Sequence, residues 1–193
     1  MPNLPPDVRQ ALKSQVPKLT RKDLEKRARE KFKQIKAELI SEFLNDPVTQ
    51  EIMQGPQGVN ISGTLGGQSN LFAFIGFSQG QDPIAPILAL FNDIRMEYSK
   101  PLRNRGLGIR LKVNLPLKEE VFAITPMPWS TGRSWAEGIE RGISGLGHLL
   151  RKNKGRSGAA VQTSVKVRSG SFQNRPYISQ LLKKYKKRFE DLK

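Results

Sequence analysis

An α+β fold is what the sequence predicts: an antiparallel sheet of hairpin strands packed by a long N-terminal helix, a middle helix and a basic C-terminal helix. Three observations carry this expectation. Apolar residues recur at helical spacing in three separated stretches, 24–43, 84–98 and 178–189. Between them the pattern switches to the period-two alternation of strands, most cleanly over 107–115. The strand-like runs come in pairs broken by single helices, which suits hairpins and not a doubly wound parallel sheet.

In chain order, Thr20 and Asp23 resemble a capping box with Asp in place of Glu or Gln. Leu24, Ala28, Phe32, Ile35, Leu39 and Phe43 follow as one apolar stripe, predicting a helix from about Arg21 to Leu44 that Asn45-Asp46-Pro47 stops. Ahead of it, Pro5 to Val16 reads as a short helix bounded by Pro17. Val59–Leu65 alternates and Leu71–Phe77 is densely apolar, with turn residues Gly66–Asn70 between them, so a hairpin is expected. Asp82-Pro83 supplies an N-cap and an N1 proline for a helix carrying Ile84, Ile87, Leu88, Phe91, Ile94 and Tyr98. Leu107, Ile109, Leu111, Val113 and Leu115 alternate with Gly108, Arg110, Lys112 and Asn114, a half-buried strand with a basic outer face. Pro116-Leu117-Lys118 turns it into a return strand, Glu119 to Thr125, and Pro126-Met127-Pro128-Trp129 forms a rigid exposed corner. Ser134 to Ile143 reads as a short helix carrying Trp135, Ile139 and Ile143. A basic glycine-flanked loop at 151–158 precedes a strand, Ala159 to Arg168. Pro176 opens the last helix, with Ile178, Leu181, Leu182, Tyr185 and Phe189 inward and its cations outward. The organisation is therefore a helical arm, residues 1–46, followed by an α+β unit, residues 47–193.

The charge is segregated. The 193 residues hold 33 Lys and Arg against 17 Asp and Glu, a formal +16. Residues 45–94 contain no Lys or Arg, whereas the 13 cations from Arg141 to Arg188 are interrupted by no acid. Solubility does not require such separation of sign, so the basic surface is expected to meet something negative. There is no Cys, which excludes disulfides, thiolate metal sites and cysteine nucleophiles, and the single His148 excludes a His pair. No run is long and apolar enough for a membrane span, and the proline-rich start does not read as a secretory signal. No metal or other cofactor is expected.

Catalytic chemistry is sparse. Glu137 and Glu140 share a helix face, but Arg133 and Arg141 beside them favour ion pairing. His148 has Ser144 upstream and no acid close by for a triad. Gly142–Gly147 lacks the Lys-Ser/Thr of a phosphate-binding loop. The expectation is a non-enzymatic protein. Arg151, Lys152, Lys154 and Arg156 are the candidate nucleic-acid-binding residues, able to meet phosphates without reading bases. Trp129, Trp135, Tyr177, Lys183, Lys184, Lys186, Lys187 and Arg188 are the candidate assembly residues.

The C-terminal third resembles a known family. Trp135-Ala136-Glu137-Gly138-Ile139-Glu140-Arg141-Gly142-Ile143-Ser144-Gly145-Leu146-Gly147, then Arg156-Ser157-Gly158, Gln162, and Phe172-Gln173-Asn174-Arg175-Pro176-Tyr177-Ile178 are similar to the neck and tail-completion proteins of tailed bacteriophages. These are the minor tail protein Z-like and related head–tail joining proteins. The stretch Asn60 to Pro86, with Phe74-Ile75-Gly76-Phe77 and Asp82-Pro83-Ile84, resembles phage neck sequences as well. The resemblance implies a structural virion protein made in the host cytoplasm, forming a homo-oligomeric ring of sixfold or twelvefold symmetry at the neck. Its implied partners are further copies of itself, the neighbouring portal or connector and tail terminator proteins, and genomic DNA in the channel; no membrane is implied. It brings no catalytic residues. The alternative is a free basic nucleic-acid-binding protein without enzymatic activity. Against it, aromatic residues for base stacking are not interleaved with the C-terminal cations, apart from an inward Tyr185.

Overall fold

The computed structural model describes residues 5–66, 70–99, 110–143 and 172–192, apart from the side chains of residues 9, 11–20, 99 and 110. Helix α1 is continuous from Pro6 to Asn45, with Pro5 as its N-cap. This corrects the two-helix expectation: the backbone stays helical through Pro17, and Thr20 is an interior residue and not a cap. Extending an established helix costs less than nucleating a second one, so a single proline need not divide it. Only the later part of the apolar stripe is used. Ile35, Leu39 and Phe43 are buried, while Leu24 remains 42% exposed.

Asp46 ends α1 and caps α2 (Pro47–Met53), its carboxylate accepting from the Val48 amide at 2.8 Å. The predicted hairpin over 59–77 is absent. Residues 59–65 form no strand, and the apolar run is a short helix, α3 (Leu71–Ile75). Asn70 caps it by accepting from Ala73 N, and Gly76 ends it at φ +92°, a left-handed conformation that glycine adopts without a Cβ penalty. The alternation at 59–65 is inverted in space. Val59 and Ile61 are exposed, while Ser62 and Thr64 are buried around a carboxylate described below.

Asp82 works as expected, accepting from Ile84 N and Ala85 N at 3.0 Å to start α4 (Ala85–Asn92). The predicted continuation to Tyr98 fails. The chain leaves the helix at Asp93, and Met96–Ser99 is strand β1. Strand β1 pairs antiparallel with β2 (Arg110–Val113), from Met96 opposite Val113 to Ser99 opposite Arg110. Ile94 and Tyr98 fit helical and strand spacing equally well, so periodicity could not separate the two. The expected return strand 119–125 is helix α5 (Lys118–Ala123). Glu120 accepts from the Leu117 amide at 2.8 Å, and both first-turn glutamates face the positive end of the helix dipole.

Strands β3 (Pro126–Met127) and β4 (Ser130–Ser134) form a second antiparallel pair. The corner at 126–129 is not simply exposed: Met127 is buried, and Trp129 is half-buried with its indole N–H donating to Ile75 O at 2.7 Å. Ser134 caps α6 (Trp135–Arg141) through Glu137 N. Helix α7 (Ile178–Glu190) buries Ile178, Leu181, Leu182, Tyr185 and Phe189, the five residues its spacing assigns inward. The architecture is α+β. One core runs from the second half of α1 through α2, α3, α4 and α6 to α7. Among the described residues no helix is long and apolar enough to cross a membrane.

Candidate assembly surface

Helix α7 lies antiparallel along the later part of α1, and charged pairs clasp the two together. Lys184 bonds the Glu42 carboxylate at 2.7 Å, and Arg188 pairs with Glu38. Tyr185, buried between them, donates its hydroxyl to Glu42 at 2.8 Å, with both cations within about 6 Å of its ring. At the far end Phe32 and Phe189 rings pack at 5.7 Å, and Lys31 donates to Asp191 O. Lys184 and Arg188 therefore have partners inside the chain. Lys183, Lys186 and Lys187 are exposed, and no carboxylate among the described residues pairs with them.

The clasp is pH-sensitive in a definite direction. Hydrogen bonds from Arg188 and Gln34 hold Glu38 below its ordinary value of 4.5, and the Lys184 bond does the same for Glu42 despite some desolvation. A carboxylate with a lowered folded pKa stabilises fully above its unfolded value and loses that contribution as pH falls through the folded one. Unfolding by urea is therefore expected to show a lower midpoint at pH 3 than at pH 6. The double variant Glu38→Gln/Glu42→Gln should show a smaller drop, and an unchanged drop would remove the clasp from the cause. At the alkaline end, burial and then the Glu42 bond push Tyr185 up to about 12 from 10.0, so stability falls across that interval as pH rises. Tyr185→Phe should flatten that limb.

A second assembly of residues joins distant segments. Ser179, at the start of α7, donates its amide to Glu140 on α6 at 2.6 Å and also its hydroxyl to that carboxylate. Arg175 N donates to Ile139 O at 3.1 Å. The Trp135 and Tyr177 rings lie 6.4 Å apart, and Tyr177 stacks on Phe43 of α1. A Cβ at Gly142 would meet Asn174 Oδ1 at 3.4 Å. Thus 135–142 and 172–179 form one packed unit. Glu137 is paired with Arg141 at 2.6 Å, as the spacing anticipated, and Glu140 is committed to α7.

One organising residue had no signal in the sequence. Glu51 on α2 is fully buried. Its carboxylate accepts from Asn60 Nδ2, from Ser62 N at 3.0 Å and from Leu71 N at 2.7 Å. Ser62 Oγ bonds Thr64 Oγ1, and Arg175 reaches Ser62 O at 2.9 Å, so the hub connects 51–71 to the segment before α7. Asn60 and Ser62 lie close in sequence, but nothing local marks Glu51 as their acceptor. It reads as one exposed acid on a short helix.

The sequence-predicted site residues fall into three groups. Arg151, Lys152, Lys154, Arg156, His148 and the expected strand 159–168 lie outside the described residues. Trp135 and Tyr177 are 1% and 3% exposed and serve as interior residues of this chain; Tyr177 shares a 2.7 Å bond with Thr49. Trp129, Lys183, Lys184, Lys186, Lys187 and Arg188 keep some surface, with Lys184 and Arg188 tied to α1. Among the described residues no group of His, Asp and Glu is arranged to hold a metal ion. Comparison with protein-family models, curated proteins and solved structures finds no match.

Proposed function

We propose that this chain is a structural virion protein of the head–tail connector of a tailed bacteriophage, a non-enzymatic subunit of a ring joining the DNA-filled head to the tail. The observation that supports it is the unit formed by 135–142 and 172–179. These are the segments that carry the family resemblance, and they are in contact through Arg175 with Ile139 and Ser179 with Glu140. Separate chance likenesses would not have to meet in space. A ring subunit also suits the first part of α1, where residues 21–31 are exposed apart from half-buried Glu25 and Ala28, leaving a helical face for a neighbour. Its partners would be further copies of itself and the adjoining portal, connector and tail terminator proteins. Arg151, Lys152, Lys154 and Arg156 are the residues proposed to face channel DNA.

Electron cryomicroscopy of the virion is the direct test, with a ring of this chain expected between portal and tail. Finding no copy at the neck overturns the reading. For the channel surface, duplex DNA binding by the purified chain should weaken with salt at a log–log slope of about −0.9 per phosphate neutralised. Neutralising Arg151, Lys152, Lys154 and Arg156 together should reduce that slope. Sequence-selective binding by a chain absent from the virion would favour a free nucleic-acid-binding protein instead.

A further inference from the structure

A groove of about 850 Å³ runs along α7 from Ser179 to Leu192, about 20 Å at the helical rise. Leu182, Phe189 and Leu192 line one wall, Leu111 and Leu115 the other, and Leu117 stands at the lip 64% exposed. Lys183 and Lys186 edge it on the α7 side. Across it, Lys118 lies 3.8 Å from Glu119, and Glu190 is the other acid on the rim. The groove is thus apolar at its floor with two uncompensated cations at its edge.

We propose that this groove docks an acidic amphipathic helix of another protein, of about three turns, with apolar side chains on the floor and carboxylates against Lys183 and Lys186. Three observations select that occupant. The length along α7 matches three to four helical turns, and its apolar walls suit the i, i+3, i+4 face of such a helix. The edge asks for negative charge. The parts of this chain outside the described residues cannot supply it, because all 17 Asp and Glu lie within the described residues while 100–109 and 144–171 carry only cations. Filling the groove from those segments would set like charge against Lys183 and Lys186. The inference stands on the groove and does not rest on the connector reading.

The test uses the full chain and a capped 14-residue peptide (about four turns) with Leu at heptad a and d positions and Glu elsewhere. Its control has Lys in place of Glu. By fluorescence anisotropy the acidic peptide should bind about tenfold more tightly than the basic one, and Lys183→Glu/Lys186→Glu should reverse that preference. Leu117→Asp, at an exposed lip, should weaken acidic-peptide binding several-fold without unfolding the chain. Lys187→Glu, off the groove, should leave it unchanged. Equal binding of the two peptides, an inert Leu117→Asp, or a Lys187→Glu effect as large as the pair's would overturn the proposal, since attraction to a +16 surface would then suffice. A photocrosslinker at position 117 that reacts with this same chain or with a second copy would overturn it too.

Discussion

Replacing Glu51 by alanine is expected to destabilise the fold by about 3–5 kcal/mol, the largest loss for any single charged residue here. The carboxylate is fully buried and accepts from two backbone amides and the Asn60 amide. Truncation leaves Ser62 N and Leu71 N inside the protein with no acceptor, and each orphaned donor forfeits its solvation. The Asn60–Ser62–Thr64 turn and the start of α3 should loosen together. Urea unfolding checks the size, and amide exchange at Ser62 and Leu71 checks the mechanism. Glu51→Gln keeps one acceptor oxygen and should cost less. Full stability in Glu51→Ala would mean that the hub is not what holds this segment.

Trp135→Ala should cost about 3–5 kcal/mol, as loss of a buried large aromatic does elsewhere. The ring is 1% exposed, edge-on to Phe77 at 5.9 Å and tilted against Tyr177 at 6.4 Å. The same substitution separates a core role from an assembly role. A core residue lowers the unfolding midpoint of the isolated chain; an interface residue leaves it unchanged and reduces oligomer formation. The burial predicts the first outcome. Tyr177→Phe is gentler, removing one hydroxyl and leaving Thr49 Oγ1 to find another partner, for a loss of about 1–2 kcal/mol.

Legibility from sequence tracked how local the determining interactions are. Helix α7 was readable because its five inward residues and outward lysines are arranged by one period over thirteen residues. The cap at Asp82 and the start of α6 at Ser134 were readable because the side chain and the amides it accepts from lie within three residues. The candidate assembly residues were only partly readable. Spacing marks Lys184 and Arg188 as outward, but that they reach Glu42 and Glu38 depends on α7 lying against a helix about 140 residues earlier. Aromatic character singled out Trp135 and Tyr177 without saying whether they face a neighbour or the interior.

Amphipathic period, capping side chains and charge segregation were thus settled by the chain's local order, and with them the α+β class, the long first helix and the basic last one. Strand against helix at 71–77, 94–98 and 119–125 was not. Those stretches are short, and their apolar residues suit either period, so the choice fell to contacts made across the fold. At 71–75 the deciding contacts are the Glu51 carboxylate on Leu71 N and the Asn70 cap. At 96–99 it is pairing with 110–113, and at 118–123 the buried Val121 and the capping Glu120. A buried carboxylate needs donors from all sides to offset its lost hydration, so it recruits polar residues inward and sends Val59 and Ile61 outward. No reading of hydrophobic alternation contains that inversion, because its cause lies at position 51, outside the window that alternates.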